Sequence, residues 1–284
     1  MTAASLSAWR GPRRSTLRLI ARYAAAIVVT IVFLFPVYWL FMIAFKTPDE
    51  IFHAPPVWYP ASIQFDNFAV LFKDRDAVTV GNSLFIAGCS TLVSMFLGTL
   101  CAYSLARFKT GGENLAVWII SQRMVPPIAV VFPIFLMYVF LGWVDTYLGL
   151  ILVYTAFNLP YVIWMMRGYI LDIPVSLEEA ALVDGWTRWQ VLWKVVMPMA
   201  RAGLFATAIL TFIFAWNEFL FALVLTRTEV ATYTVQVTHY FGGQSGFWAK
   251  ISAMSVLGTL PIFVVVAFMQ RYLVRGISLG AVKG

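Results

Sequence analysis

The sequence predicts an all-helical membrane protein with six transmembrane helices, and three observations carry that prediction. Apolar residues make up 61% of the 284 and charged residues only 12%, with a mean hydropathy of +0.83, far from the composition of soluble domains. The apolar residues gather into six runs of about 20 residues or more, the length that crosses a hydrocarbon core of roughly 30 Å. Lysines and arginines concentrate in alternate connections between those runs, as membrane topology requires.

A basic tail, 1–22, holds Arg10, Arg13, Arg14, Arg18 and Arg22 and leads into the first run, 23–45. That run lacks a small-x-small cleavage site, so it is expected to persist as a helix rather than leave as a secretory signal. Residues 23–284 read as a single transmembrane domain. The second run, 77–106, contains Cys89 and Cys101, expected to pack as small apolar residues rather than to bridge or bind metal. The third, 115–141, contains Arg123 together with Pro126, Pro127 and Pro133, which remove helical donors and predict a kinked span. The fourth, 146–166, and the sixth, 251–270, carry no formal charge, and the fifth, 202–226, contains Glu218 beside Trp216 and Asn217. A charge at mid-membrane costs about 2.5–3.5 kcal/mol on insertion scales. Arg123 and Glu218 are therefore expected to face the bundle, where with Asn217 they could line a path for hydroxyl-rich solutes; an interhelical hydrogen bond without transport is the alternative.

Six spans place both termini on one side. The tail, the connections 107–114 and 167–201 and the C-terminal segment hold fourteen Lys and Arg, whereas the opposite side holds five, Lys46, Lys73, Arg75, Arg227 and Lys250. The richer side is expected to be cytoplasmic. This bias also accounts for the pI of about 9.5, since no basic stripe interleaved with aromatics marks a nucleic-acid surface. His53 and His239 lie in different external loops without acids, cysteines or a second histidine at ligand spacing, which argues against a metal site or a nucleophilic enzyme.

The longest charged interruption, EEAALVDGWTRWQVLWKVVMP at 178–198, lies within the loop 174–199. Ser176 and Glu179 have capping-box spacing, and Leu177, Ala180, Ala181 and Asp184 follow at helical period. Gly185 predicts a left-handed stop. Thr187 and Gln190 supply a second capping box, after which Trp189, Leu192, Trp193 and Val196 form one face until Pro198 ends the helix. This helix-turn-helix reads either as an amphipathic connector in the headgroup layer or as a docking element for a soluble partner.

The spaced pattern Glu179-Ala180-Ala181, three residues, Gly185, nine residues, Val195-x-Met197-Pro198 resembles the EAA signature of the membrane-spanning subunits of binding-protein-dependent ABC importers. Val195 and Met197 stand where isoleucine and leucine are usual. PYVIWMMRGYILDIP, AWNEFLFALVLT and QRYLVRGISLGAVKG extend the resemblance to the second permease subunit of the maltose-type, carbohydrate-importing branch. The resemblance implies the MetI-like permease fold with a cytoplasmic coupling helix in the bacterial inner membrane. It implies a second permease as heterodimer partner, an ATPase dimer and an extracytoplasmic binding protein. ATP and Mg would belong to the ATPase, and the chain accordingly has no GxxxxGK[ST] loop and no cofactor of its own. Glu179, Ala180, Ala181, Asp184, Gly185 and Pro198 become the coupling residues, and the tail 280–284 the segment reaching toward the ATPase. The external turn Gly242, Gly243, Gln244, Ser245 and Gly246 matches, in position and composition, a loop that helps expel sugar from the docked binding protein. The segment 46–76, with Pro55, Pro56, Trp58 and Pro60, is a second candidate contact.

The competing reading is an ion-coupled transporter acting without an ATPase. The spans offer it neither paired acids nor a His relay, and no inverted repeat is evident.

Overall fold

In the computed structural model, residues 14–74, 76–241 and 246–281 are described, excepting the side chains of 14–17, 113 and 268–281. The first helix, α1 (Arg14–Ala44), is followed by α2 (Pro48–Ile51), α3 (Asp66–Lys73) and α4 (Val78–Arg107). The middle of the chain forms α5 (Gly112–Ser121), a 3-10 turn at Gln122–Met124, α6 (Pro127–Leu141) and α7 (Tyr147–Leu171). Next come α8 (Val175–Val183), α9 (Arg188–Val191), a π-helical turn at Leu192–Val196 and α10 (Met197–Met199). The chain closes with α11 (Arg201–Trp216), α12 (Leu220–Leu225), α13 (Tyr233–His239) and α14 (Gly246–Ala281).

Among the described residues four helices are long and apolar enough to cross a membrane by themselves, and six spans result if each of two bent pairs counts as one. The third apolar run is such a pair: α5 with its 3-10 turn and α6 meet at 88°. The bend falls at the Pro126-Pro127 pair, with Val125 extended as the residue before a proline prefers. Pro133 lies inside a continuous α6. The fifth run is interrupted at 217–219, between α11 and α12, with neither proline nor glycine to announce it.

Helices α4 and α7 pack together along their lengths because small and hydroxyl residues line the seam. A Cβ at Gly98 would lie 2.6 Å from Val162, and buried Ser94 donates across to the Thr155 carbonyl. Gly203 of α11 lets the ring of Tyr169 approach in the same way. One core cluster, with Ile86, Val153, Phe212, Trp216 and Phe221, fills the half remote from α8; another, with Ala102, Val162, Met166, Ile170, Val191 and Val196, fills the half beneath it. Helix α1 differs. The apolar window of its Arg18–Ala44 stretch contributes nothing to the core, and only its last turns, Leu40, Phe41 and Ala44, meet Ala253 and Met254 of α14.

At the end remote from α8 the segments are tied by side chains reaching backbone. Lys46, fully buried, donates to the Val57 carbonyl and lies 4.3 Å from the Trp39 ring centre. Asp145 adopts φ +60°, and its carboxylate accepts the backbone N–H groups of Arg227, Thr228, Glu229 and Val230 at 2.9–3.1 Å. Burial pushes the Asp145 carboxyl upward, but these four donors together outweigh it and hold the group below its ordinary value.

Candidate functional site

Two places gather functional side chains. The first is α8 and the turn after it. Helix α8 starts one residue before Ser176, with Pro174 at the cap, so Ser176 already has a helical backbone and its hydroxyl makes no cap: the Ser176–Glu179 capping box is not formed. The Gly185 turn forms as expected. Gly185 has φ +85°, its N–H reaches the Leu182 carbonyl at 3.0 Å, and the Trp186 N–H reaches the Ala181 carbonyl at 3.0 Å, the doubly bonded left-handed helix stop. The Thr187–Gln190 capping box is present with both reciprocal bonds.

The faces of this element are rotated relative to the apolar pattern. Glu178 and Ala181 are buried, while Leu177, Glu179, Ala180, Val183 and Asp184 are exposed, Val183 at 88%. Ala181 therefore packs inside its own chain and is not offered with Ala180 on a free face. After Gly185, Val191, Leu192 and Val196 turn inward and Trp189 and Trp193 outward, because the π turn at Leu192–Val196 breaks the 3.6-residue period that grouped them. Pro198 does not end the helix; it lies in the first turn of α10, just before a bend of 79° into α11.

Beneath α8 lies an ion pair that sequence reasoning missed. The carboxylate of Glu178, 1% exposed, meets Arg107 Nε at 2.5 Å and accepts from the Tyr103 hydroxyl at 2.9 Å. The same guanidinium donates from Nη2 to the carbonyls of Ile170 and Ile173 at 2.8 and 2.9 Å. One arginine thus joins the end of α4, the end of α7 and the first turn of α8. The only sequence signal was a second acid, Glu178, adjoining the signature glutamate Glu179.

The second place is a cavity of about 170 Å³ lined by Arg123, Tyr154, Phe157, Asn158, Phe214 and Glu218 among others. Glu218 is half-buried at its wall, whereas Arg123, Val125, Pro127 and Phe214 are exposed, so the cavity opens at the surface of this chain. Arg123 Nη1 donates to the Phe157 carbonyl at 2.6 Å and to Asn158 Oδ1 at 3.1 Å, and the guanidinium lies 4.8 Å from the Phe214 ring centre. Glu218 receives the N–H groups of Phe221 and Ala222 at 3.0 and 3.2 Å, capping α12 and accounting for the break in the fifth run. The buried Tyr154 hydroxyl lies beside that carboxylate without a well-aligned hydrogen bond among the described residues. Asn217 bonds back to the Ile213 carbonyl and is not among the residues lining this cavity, so the expected trio is reduced to Arg123 and Glu218. Tyr154 and Asn158 add polar groups to the lining. Of the external turn only Gly246, the first residue of α14, lies within the described residues; Gly242, Gly243, Gln244 and Ser245 lie outside them, as do residues 282–284 of the tail.

Residues 94–279, which include α8, the Gly185 turn and the cavity, match the family described as binding-protein-dependent transport system inner membrane component. The chain belongs to that family. This transport component is 33% identical over 278 residues to the trehalose/maltose transport system permease protein MalG of Thermococcus litoralis, covering 96% of this chain and 99% of the relative. It is 37% identical over 256 residues to the trehalose transport system permease protein SugB of Mycobacterium tuberculosis, covering 88% and 93%. Its fold superposes with a TM-score of 0.77, at 24% identity, on a chain of a bacterial ABC transporter involved in the import of the acidic polysaccharide alginate, covering 93% of this chain and 99% of that one. The all-helical architecture is thus that of an ABC importer permease. Membership of the family, whose description ties transport to a binding protein, favours this over the ion-coupled transporter acting alone.

Proposed function

We propose that this component is the carbohydrate-class permease subunit of a binding-protein-dependent ABC importer, paired with a second permease and driven by an ATPase dimer. The observation that carries the reading is α8, a short helix anchored on one face and free on the other, immediately before a rigid left-handed turn. A helix held in that way can be gripped by a soluble partner and pushed without being pulled out of the bundle. Glu179, Ala180, Val183 and Asp184 form the gripped surface; Ala181 packs beneath it, Gly185 turns the chain after it, and Pro198 lies just before the bend into α11. Small Ala180 admits close approach, and Val183, almost fully exposed, gives that partner an apolar contact.

The carbohydrate class rests on relatives named for trehalose and maltose that match nearly end to end. The cavity chemistry suits it. Phe157, Phe214 and Phe221 offer aromatic faces, Asn158 and Tyr154 polar groups, and the two charges are already engaged by neutral partners, so a neutral polyhydroxylated solute meets no bare ion. Arg123 and Glu218 shape this pathway, and Asn217 stands outside its wall. The 242–246 turn and the exposed aromatics Trp58 and Tyr59 are the proposed contacts for the binding protein. With α8 on the cytoplasmic side of the inner membrane, both termini are cytoplasmic.

The test is reconstitution with the ATPase and second permease. Val183→Asp is expected to leave the chain folded in the membrane and to release the ATPase; retention of ATPase and of binding-protein-stimulated hydrolysis would overturn the assignment of α8. Orientation is checked in a background lacking Cys89 and Cys101. A cysteine at Ser62 is expected to react with an impermeant reagent in intact cells, and one at Gly112 to be protected.

A further inference from the structure

We propose that Arg107 and Glu178 form a clamp that makes α8 and the adjoining ends of α4 and α7 one rigid body, so that displacement of α8 reaches the cavity undiminished. The inference rests on the reading of α8 as the docking helix, and goes beyond it by assigning the residues that carry motion away from the docked face.

A nine-residue helix flanked by turns is a poor lever unless something prevents it from rocking about its ends. Here the restraint is specific. The guanidinium is planar and its donors point in fixed directions. Nε is used on Glu178 and Nη2 on the carbonyls of Ile170 and Ile173, so that the α8 acid and the end of α7 are held by one flat group rooted in α4. Tyr103, one turn before Arg107 on α4, takes the second carboxylate oxygen and stops the carboxylate from rotating. With side chains 6% and 1% exposed, neither partner of the pair can be replaced by water without opening the core. Burial makes such a pair a weak source of stability but a strong constraint on geometry, because a shift that separates the charges leaves each buried charge uncompensated.

What the clamp holds is connected to the cavity. Helix α7 stays helical from Tyr147 to Leu171 although Pro160 removes one backbone donor from its ladder, and Asn158, which receives Arg123, lies twelve residues before Ile170, or about 18 Å along the axis at 1.5 Å per residue. Helix α4 moves with it, since Gly98 seats directly against Val162. The clamp residues lie outside the lining of the cavity; they are positioning residues.

The test uses the complete complex in lipid nanodiscs, with the native cysteines replaced and nitroxides at Leu97→Cys on α4 and Leu177→Cys on α8, both exposed positions. The probe is MgATP. With the clamp intact, the 97–177 distance distribution is expected to stay single and unshifted when MgATP is added. In Glu178→Gln it is expected to shift or broaden with MgATP while the ATPase still co-purifies. Arg107→Lys, which keeps the charge but loses the fork to both carbonyls, should broaden it to a smaller degree. A nucleotide-dependent shift in the intact protein would overturn the clamp, because α8 would then be hinged. An unchanged distribution in an assembled Glu178→Gln complex would overturn it equally. Co-purification reports docking and the distance reports rigidity: an unsubstituted complex that binds no ATPase would fail the docking reading and this inference together, whereas the two outcomes above fail the clamp alone.

Discussion

Arg107 and Arg123 both reach carbonyls in or beside α7, Arg107 at Ile170 and Ile173 and Arg123 at Phe157. Arg107 also meets a buried carboxylate, whereas Arg123 is answered by a carbonyl, an amide oxygen and aromatic rings. The acid nearest Arg123 in function, Glu218, is engaged by the N-terminus of α12. The difference teaches how one helix can be both a rod and a lining. A buried ion pair admits one geometry and resists exchange. A cation held by neutral oxygens can trade one of them for a solute hydroxyl at modest cost, because hydrogen bonds to charged groups are worth about 1.5–3 kcal/mol each and the replacement restores most of it.

The comparison is broken most directly at the neighbouring alanines of α8. Ala181→Trp must overpack the core beneath the helix, at about 1–3 kcal/mol, and is expected to lower the unfolding midpoint of the purified protein as well as abolish uptake. Ala180→Trp is expected to leave unfolding unchanged and release the ATPase. Identical behaviour of the two in thermal unfolding and pull-down would mean that the buried and free faces are misassigned. In the cavity, Glu218→Leu strands two backbone donors and is expected to destabilise by about 1–3 kcal/mol, with Glu218→Gln losing less because an amide oxygen can still accept. Chemical denaturation in detergent distinguishes them; equal losses would show that capping is not what Glu218 does.

Gly185→Val forces a branched residue into left-handed backbone, costing at least about 1–2 kcal/mol, although a Cβ there meets open space. Gly185→Asn is expected to be tolerated, so unfolding and uptake of the pair separate strain from lost contact. The smallest effect belongs to Asp145→Asn, which keeps a residue suited to φ +60° and removes the charge, for about 1 kcal/mol at neutral pH. Because the folded state holds this carboxyl below its ordinary value, its contribution is present above the unfolded carboxylate pKa, about 3.9, and is lost as pH falls through the lower folded value. The unfolding midpoint of the wild type should therefore converge on that of the variant in acid, and a constant gap would contradict the assignment.

Much of this could be read in the sequence, and the limits have physical reasons. The apolar runs, the Pro126-Pro127 break, the Gly185 stop and the Thr187–Gln190 cap are local, each dictated by residues within one or two turns. The inward position of Glu178 was hidden because its partners lie 71 and 75 residues away and a glutamate on an amphipathic helix is ordinarily solvated. The break before α12 was hidden because its cause, Glu218, lies with Asn217 in otherwise apolar sequence and could be read equally as a pathway residue. Asp145 is similar: its four donors lie 82–85 residues away. The Trp189 and Trp193 face was misjudged because a π turn has no clear sequence signature.

Helix α1 also sets a schedule. Its tip meets Leu71 and Asn67 early, but the anchor around Leu40 and Ala44 is completed only by Ala253 and Met254, about 210 residues later in the chain. At 5–20 residues per second, a ribosome takes roughly 10–40 s to supply that partner. A helix whose long stem depended on protein neighbours would spend that interval exposed to misassembly. The stem of α1 takes nothing from the core of its own chain, so it can form in the bilayer while the helices that will hold its tip are still being made.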